Sequence, residues 1–193
     1  MSILTVLSDS IRSNVRRVFA VLLWLSSAVA AADDIVNYHA YTPLFASAGQ
    51  PTEAQFLMLR DGGFETVVYV AYTDHENSLP NADRLAHQQG LTYVHIPVDW
   101  NNPTLQDFQL IANVLEQNRQ RKTLLHCQLN YRASAFAMLY RVLYQDVPVL
   151  DAKRDMNAVW QPNQTWTDFM RDVLSAGGID PDCEGCDWSV EAG

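Results

Sequence analysis

The stretch Leu124-Leu125-His126-Cys127-Gln128-Leu129-Asn130-Tyr131-Arg132-Ala133-Ser134 decides the fold of this chain. An apolar run that is short enough to be a buried strand ends at His126-Cys127, and a helical pattern begins at Arg132. A helix N-terminus presents unpaired N–H groups and a partial positive charge, which bind anions and favour the thiolate form of a nearby cysteine. The stretch therefore predicts a strand, a loop and a helix that together can hold a phosphate group.

The side chains of this loop suit phosphate ester chemistry. Cys127 is the candidate nucleophile, and the guanidinium of Arg132 can bind two phosphate oxygens in one plane. Asn130 lies in mid-loop, where we expect a left-handed conformation that asparagine tolerates well. The phosphate is expected to bind the N–H groups of Gln128, Leu129, Asn130, Tyr131 and Arg132. The alternative is that Cys127 is an inert core cysteine at a strand end.

Two neighbours are expected to support the loop. His126 precedes the nucleophile on a buried strand, so we expect its ring to hydrogen-bond to the backbone and fix the loop rather than to act as a base. Ser134 either donates a hydrogen bond to the thiolate or is an ordinary serine at the start of a helix.

The stretch resembles the signature loop of the cysteine-dependent protein tyrosine and dual-specificity phosphatases: His-Cys, five residues, Arg, then Ser or Thr. Here four residues separate Cys127 from Arg132, and Asn130 replaces the usual glycine. The shorter loop is similar to that of a bacterial phosphatase-like branch, related to a domain fused to beta-lactamase-like hydrolases. Residues 45–52 resemble a Ser-Gly-Gln-Pro-Thr stretch of that branch, and residues 93–100 resemble its acid loop.

The resemblance implies a phosphatase that hydrolyses phosphate monoesters through a phosphocysteine intermediate. It implies no cofactor, and its substrate would be a phosphorylated protein or a small phosphate ester. Asp99 is implied to be the general acid that protonates the leaving group. The alternative for Asp99 is a turn carboxylate, and Asp74 is the rival acid. Asp107 is expected to be a first-turn helix charge.

Two other classes of function remain open. A rhodanese-like sulfurtransferase also uses a loop cysteine, but it would carry a persulfide and need no acid. A non-catalytic phosphate-binding module would keep Arg132 and the loop without turnover. The large aromatic residues Trp100, Trp160 and Trp166 either line a substrate pocket or belong to the core, and His95 is expected to be a satisfied core histidine.

Strands alternate with helices along the chain, which predicts an α/β fold with a mostly parallel central sheet flanked by helices. Expected strands are 38–44, 66–71, 91–97 and 123–126; expected helices are 52–60, 81–89, 104–117, 132–144, 151–159 and 165–174, with Asn81 and Thr104 as caps. Asn163 is expected to cap the last helix. Ligands bind at the carboxyl ends of parallel strands, and Cys127 lies at one.

Composition limits the partners. The chain has 193 residues, of which 48% are hydrophobic, so it can form one domain with a real core. Its formal net charge of −9 argues against nucleic acid and anionic membranes as partners. The sequence does not indicate an oligomeric state.

Residues 1–32 are expected to be a signal peptide. Arginines at 12, 16 and 17 precede an apolar run over 18–30, which ends in a cleavage-like Ala28-Val29-Ala30. The run is too short to span a bilayer, which needs about 20 residues. We expect no stable membrane insertion after cleavage, and a bacterial periplasmic or secreted location. An uncleaved anchor, an amphipathic helix and twin-arginine export remain alternatives.

The predicted phosphatase-like domain spans 33–178, and residues 179–193 form an acidic tail with a Cys-x-x-Cys motif. We expect Cys183 and Cys186 to form a disulfide in an oxidising compartment, which leaves Cys127 as the free thiol. The alternative is a thioredoxin-like redox pair. Because no histidine lies near the two cysteines, no metal site is expected.

Overall fold

The computed structural model describes residues 34–189, so the expected signal peptide over 1–32 lies outside the described residues. In chain order, the elements are β1 (His39–Thr42), β2 (Phe45–Ala48), α1 (Glu53–Met58), β3 (Thr66–Tyr69), α2 (Ala82–Gln88), β4 (Thr92–His95), α3 (Leu105–Gln117), β5 (Thr123–His126), α4 (Tyr131–Tyr144), α5 (Val149–Asn157) and α6 (Gln164–Ala176). Every expected element after residue 50 is present within a few residues of its predicted bounds.

The strands form a five-stranded sheet in the order β1-β2-β5-β3-β4. β5 pairs in parallel with β2 on one side and with β3 on the other, and β3 pairs in parallel with β4. Only the pairing of β1 with β2 is antiparallel within this sheet. The predicted α/β fold with a mostly parallel sheet and flanking helices is therefore confirmed, and Cys127 follows its central strand.

The expected first strand over 38–44 is present as β1, but it is shorter, and the second strand, β2, was not expected. The chain turns back after Thr42, and β2 takes the position beside β5. The side chain of Thr42 stabilises this turn by accepting a hydrogen bond from the N–H of Leu44 at 3.2 Å. β2 has the sequence Phe-Ala-Ser-Ala, and all four residues are buried. Its small side chains lack the β-branched pattern that identifies a strand in sequence.

Threonine side chains fix the starts of two helices. Thr52 begins α1 and Thr104 begins α3, each in a reciprocal capping box with the residue three positions later. The partner of Thr104 is Asp107, whose carboxylate accepts the N–H of Thr104 at 2.9 Å. The predicted cap at Thr104 and the first-turn position of Asp107 are thus confirmed.

Of the two predicted asparagine caps, one is present and one is absent. Asn163 caps α6 as predicted, because its side chain accepts the N–H of Trp166 at 3.1 Å. Asn81 precedes α2 in a left-handed conformation with φ of 58°, and its side chain makes no capping bond. The expected side-chain cap at Asn81 is wrong, since a residue in this conformation does not have the extended backbone of a normal N-cap.

Helix α4 lies at the centre of the core. Every residue from Ala133 to Val142 is buried, so the helix has no solvent-facing stripe over this stretch. It packs against the sheet through Phe45 and against α6 through aromatic contacts of Phe136 with Trp166 and Phe169. This burial fixes the N-terminus of α4 directly after the loop that follows β5.

The segment after residue 178 also contacts the folded core. Ile179 and Trp188 pack against it, and Arg171 on α6 makes two charge-assisted hydrogen bonds to Asp182, at 2.7 and 2.9 Å. The structure pairs the sulfurs of Cys183 and Cys186, whose Cα atoms lie 5.1 Å apart. The division at residue 178 and the disulfide in the protein both stay predictions. Among the helices within 34–189, none is long and apolar enough to cross a membrane.

Candidate functional site

Cys127 lies at the carboxyl end of the central strand, and its side chain is buried, with 1% of the residue exposed. Its backbone N–H donates to the carbonyl of Ala48 at the end of β2, at 3.3 Å. It is the only free cysteine in the described part of the chain. The Cys127 loop, which we define as residues 127–132, begins here and ends in the first turn of α4.

Surrounding backbone and side chains hold the carbonyl oxygens of the Cys127 loop. The N–H of Gln50 donates to the carbonyl of Gln128 at 2.9 Å, and the side-chain amide of Asn37 donates to the carbonyl of Leu129 at 2.9 Å. The Asn130 amide donates to the carbonyl of Asn37 at 2.6 Å. The first two bonds engage carbonyl oxygens of the loop and the third uses the side chain of Asn130, so none of them occupies a backbone N–H of the loop.

Three N–H groups of the loop are free donors. Those of Gln128, Tyr131 and Arg132 donate to no acceptor among residues 34–189. Asn130 has a φ of 69°, and its carbonyl accepts the N–H of Ser134 at 2.8 Å. The predicted left-handed conformation of Asn130 is therefore confirmed, and it turns the chain from the strand into the helix.

Arg132 is held beside this loop by two contacts. Its Nη1 donates to the side-chain oxygen of Gln128 at 2.8 Å, and its guanidinium carbon lies 5.1 Å from the ring centroid of Trp100. Its Nε is buried and has no hydrogen-bond partner within the described residues. Buried polar groups are normally paired, so this Nε is a donor whose hydrogen bond the described chain does not supply.

The side chain of Gln128 joins two sides of the site. Its oxygen accepts from Arg132, while its nitrogen donates to the hydroxyl of Tyr69 at 3.0 Å. The Tyr69 hydroxyl lies 2.8 Å from the hydroxyl of Ser78 and donates to the carbonyl of Tyr72 at 3.0 Å. The guanidinium is therefore connected to the 72–78 loop through one glutamine.

Tyr69 also responds to the charges of the site. Burial raises the pKa of its hydroxyl, the charges of Cys127 and Asp74 raise it further, and the charge of Arg132 lowers it. Sequence reasoning missed the roles of Tyr69 and the Gln128 side chain. The one available signal was a tyrosine at the end of a buried strand whose other residues, Thr-Val-Val, are all β-branched.

Asp99 is half-buried and belongs to a turn next to the site. One of its carboxylate oxygens accepts the N–H of Asn101 at 2.8 Å, which is the turn arrangement expected as the alternative. The adjacent Trp100 contacts Arg132 through its ring and accepts a hydrogen bond from the indole of Trp166 at 3.0 Å. The turn is thus anchored to both the site and the core. Asp74, the other candidate for the general acid, is exposed in the 72–80 loop.

His126 is buried beside the nucleophile. Its ring nitrogens make no well-formed hydrogen bond among the described residues, although the ring interacts with the backbone of Cys127, so the expected bond from its ring to the backbone stays a prediction. The ring packs against Tyr69, with centroids 4.8 Å apart. Burial lowers the pKa of His126 to about 3, and the backbone of Cys127 opposes this only in part. The imidazole is therefore neutral and is not a base at ordinary pH.

Ser134 and His95 are each hydrogen-bonded to a backbone carbonyl. The hydroxyl of Ser134 donates to the carbonyl of Tyr131 at 3.1 Å, as an ordinary helix serine does, rather than to the thiolate. His95 is hydrogen-bonded through Nε2 to the carbonyl of Ala71 at 2.8 Å, but it is exposed. The expectation of a core position for His95 is wrong because β4 is the edge strand of the sheet.

The large aromatic residues divide between the core and the site. Trp166 is fully buried, whereas Trp100 and Trp160 are half-buried beside the Cys127 loop. The rings of Tyr131 and Trp160 stack at 4.8 Å with an interplanar angle of 5°. Within residues 34–189, no group of three or more His, Cys, Asp or Glu side chains could hold a metal ion.

Comparison with known families identifies the chain. The family model described as DSP-PTPase phosphatase fused to NAD+ kinase matches residues 14–172, which is most of the sequence. The chain therefore belongs to this family of dual-specificity and tyrosine phosphatase domains, and the resemblance drawn from the Cys127 loop is confirmed. A search of curated proteins found no match.

Solved structures agree with this assignment. A protein assigned as a DUF442 phosphatase from Shewanella putrefaciens CN-32 is 29% identical, over 77% of this chain and 97% of that one, with a TM-score of 0.70. Tk-PTP is 16% identical over 72% of this chain and 97% of its own, with a TM-score of 0.64. TpbA from P. aeruginosa is 17% identical over 74% of this chain and 91% of its own, with a TM-score of 0.58. Tk-PTP and TpbA have the same fold as this chain.

Gly49 is predicted to be indispensable for the shape of the Cys127 loop. A Cβ at Gly49 would lie 2.7 Å from the carbonyl oxygen of Gln128 and 3.0 Å from that of Val36. We expect Gly49→Ala to lower the free energy of unfolding by about 1–3 kcal/mol and to weaken binding of inorganic phosphate. Denaturant unfolding and calorimetric titration measure the two effects.

The control for Gly49→Ala is Gly90→Ala. Gly90 has a φ of 66°, and an added Cβ would meet no atom within 4 Å. Alanine there strains only the local backbone, which does not belong to the Cys127 loop. We expect it to cost about 1 kcal/mol and to leave phosphate binding unchanged. Equal phosphate affinities for the wild type and Gly49→Ala would contradict the proposed packing.

His126 is predicted to make the protein less stable in acid. Because its pKa is about 3 in the folded chain and its ordinary value is 6.5, the unfolded chain binds an extra proton between these limits. The free energy of unfolding therefore falls as pH decreases through this window, by about 1.4 kcal/mol per unit from this residue. Urea unfolding at several pH values should show a shallower pH dependence for His126→Leu. Parallel profiles for the two proteins would refute the assignment.

Proposed function

We propose that this protein is a cysteine-dependent phosphatase that hydrolyses phosphate monoesters through a phosphocysteine intermediate. The observation that carries this proposal is the set of unpaired donors around a buried thiol. The donors are the N–H groups of Gln128, Tyr131 and Arg132 and the Nε of Arg132. A dianionic phosphate with several acceptor oxygens satisfies such a set, and the same donors stabilise the charge that develops during transfer.

In the first step, the thiolate of Cys127 attacks phosphorus opposite the leaving oxygen. A sulfur–phosphorus bond forms as the phosphorus–oxygen ester bond breaks, and the leaving oxygen receives a proton from Asp99. In the second step, water attacks the phosphocysteine and gives a proton to the Asp99 carboxylate. Inorganic phosphate and the thiolate are released. Since the transition state is loose, positioning and charge stabilisation supply most of the catalysis.

The Gln128 side chain supports this mechanism by orienting Arg132. It accepts a hydrogen bond from one terminal nitrogen of the guanidinium, at 2.8 Å, and so holds the group in the plane of the site. The remaining donors of Arg132 stay available for phosphate oxygens. A lysine at position 132 would lack this planar, forked arrangement of donors.

Asp99 is supported as the acid by its anchored turn. One of its oxygens is engaged by Asn101, and the other has no partner among the described residues. Its neighbour Trp100 contacts Arg132, which keeps the turn next to the loop. Asp74 lies close enough to Tyr69 for its charge to raise the pKa of that hydroxyl, but it is exposed and makes no hydrogen bond within 34–189.

The substrate is proposed to be a phosphorylated protein or a small phosphate ester. In a cysteine-to-serine form, the fold relative TpbA was solved in complex with phosphotyrosine. The net charge of −9 disfavours nucleic acid as a partner. We also propose export to a bacterial periplasm or secretion, which is supported by the signal-like pattern of residues 1–32.

Removal of the nucleophile is predicted to abolish turnover. We expect Cys127→Ser to release no phosphate from para-nitrophenyl phosphate under reducing conditions, since serine is not ionised there. We expect Arg132→Lys to lower kcat by about 10²–10³, the usual cost of one transition-state donor. Phosphate release by the full-length chain measures both.

Other outcomes of the same assay identify the other classes. Binding of inorganic phosphate without turnover of any ester would indicate a non-catalytic phosphate-binding module. Transfer of sulfur from thiosulfate to cyanide, without phosphate release, would indicate a rhodanese-like sulfurtransferase. Either result would overturn the phosphatase proposal.

Replacement of Asp99, but not of Asp74, is predicted to slow the protonation of the leaving group. We expect Asp99→Asn to lower kcat by about 10²–10⁴ for an alkyl phosphate, whose leaving group needs a proton, and by much less for para-nitrophenyl phosphate. The matched change Asp74→Asn should alter neither rate by more than about twofold. If Asp74→Asn shows the dependence on leaving group and Asp99→Asn does not, the assignment is reversed.

A further inference from the structure

A cleft of about 530 Å³ opens beside the Cys127 loop. It lies between the carboxyl ends of β3 and β4 on one side and the segment 73–83 on the other. Two of its lining residues, Gln50 and Tyr69, are hydrogen-bonded to Gln128, the residue after the nucleophile. The cleft and the phosphate site therefore share a wall, and a substrate bound at Cys127 can extend into the cleft.

The polar groups of the cleft have spare hydrogen-bonding capacity. The hydroxyls of Thr73 and Tyr93 and the carboxylate of Asp83 have no hydrogen-bond partner within residues 34–189. His95 uses only Nε2, so its Nδ1 is also available. Burial raises the pKa of Tyr93, which keeps its hydroxyl protonated as a donor. The cleft thus offers both donors and acceptors to a ligand.

The charge of the cleft excludes a second anionic group. Among the described residues that line it, none is Lys or Arg, and the one charged side chain is the carboxylate of Asp83. A second phosphate, such as that of a nucleoside diphosphate, would meet repulsion without a cation to offset it. The part of the ligand that enters the cleft must therefore be uncharged or cationic.

The remaining walls suit a compact ring. Tyr69 and His95 are stacked, with centroids 5.2 Å apart and an interplanar angle of 25°, and both line the cleft. Because the Tyr69 ring also contacts His126, the exposed imidazole of His95 is the aromatic wall that a ligand can contact. An aromatic face packs against the C–H groups of a hydroxyl-bearing ring, while the hydroxyls bond to polar neighbours. A volume of about 530 Å³ is in the range of sites for small molecules.

We propose that this cleft binds the leaving group of a small phosphate ester, and that this group is an uncharged, hydroxyl-rich ring such as a hexose or a cyclic polyol. The inference rests on the proposed function, because the phosphate of the same substrate occupies the Cys127 loop. It assigns the substrate to the small esters rather than to phosphorylated proteins. Thr73 and Tyr93 are the specificity-determining residues.

The test is a binding measurement on the full-length Cys127→Ser protein, so that no probe is consumed. Calorimetric titration compares glucose 6-phosphate, phosphotyrosine and inorganic phosphate. We expect glucose 6-phosphate to bind at least about tenfold more tightly than inorganic phosphate, a difference of about 1.4 kcal/mol. Phosphotyrosine, which lacks the ring hydroxyls, should bind less tightly than the sugar phosphate.

Two additional variants test whether the tighter binding of glucose 6-phosphate depends on the cleft. Thr73→Trp fills the cleft from an exposed loop position, and Tyr93→Phe removes one hydroxyl. We expect Thr73→Trp to reduce the preference for glucose 6-phosphate to about twofold or less, and Tyr93→Phe to reduce it several-fold. Neither should change the affinity for inorganic phosphate. Gln109→Trp, at an exposed position of α3, is the matched control for an added indole and should change nothing.

Failure of this inference is distinct from failure of the proposed function. If inorganic phosphate binds but glucose 6-phosphate binds no more tightly, or if Thr73→Trp leaves its affinity unchanged, the cleft is not a leaving-group site. Tighter binding of phosphotyrosine, unaffected by Thr73→Trp, would likewise overturn the inference and favour protein substrates. If inorganic phosphate does not bind at all, both the phosphate site and the cleft assignment are wrong.

Discussion

The Cys127 loop keeps its shape because the backbone of residues 49–50 lies directly against it. Gly49 has no side chain, so the carbonyl of Gln128 can approach closely and accept the N–H of Gln50 at 2.9 Å. The side chain of Asn37 adds a second bond, to the carbonyl of Leu129. Because these bonds use carbonyl oxygens of the loop, the N–H groups of Gln128, Tyr131 and Arg132 are left without partners in the described chain. The close approach at Gly49 therefore helps to form the anion site.

The sheet and the helix α4 give this contact its rigidity. β5 is paired on both sides, and α4 is buried along most of its length, so the loop between them cannot move without disturbing the core. Two contacts then orient the guanidinium of Arg132: the Gln128 side chain on one side and the Trp100 ring on the other. Through Gln128 and Tyr69, the same guanidinium is connected to the loop that borders the cleft.

The parts of the site that could be predicted from sequence are those set by local patterns. The spacing of Cys127 and Arg132, with an apolar strand before and a helix after, identified the loop, and asparagine at position 130 indicated its left-handed turn. The β1–β2 hairpin was missed because Phe-Ala-Ser-Ala has no strand-like alternation. The bond between Gln128 and Tyr69 joins residues 59 positions apart, and no local pattern encodes such a contact. For His126, the sequence indicates burial but not the ring contact with Tyr69, which comes from the neighbouring strand.

The central claim is that the buried thiol at the start of this loop becomes phosphorylated during turnover. Rapid acid quenching of the full-length protein during hydrolysis of para-nitrophenyl phosphate, followed by mass spectrometry of the peptide that contains Cys127, tests it directly. The account predicts a peptide that carries one phosphoryl group on Cys127 and is absent from the Cys127→Ser protein. Sustained phosphate release with no phosphorylated cysteine at any quench time, or with the same rate in Cys127→Ser, would contradict it.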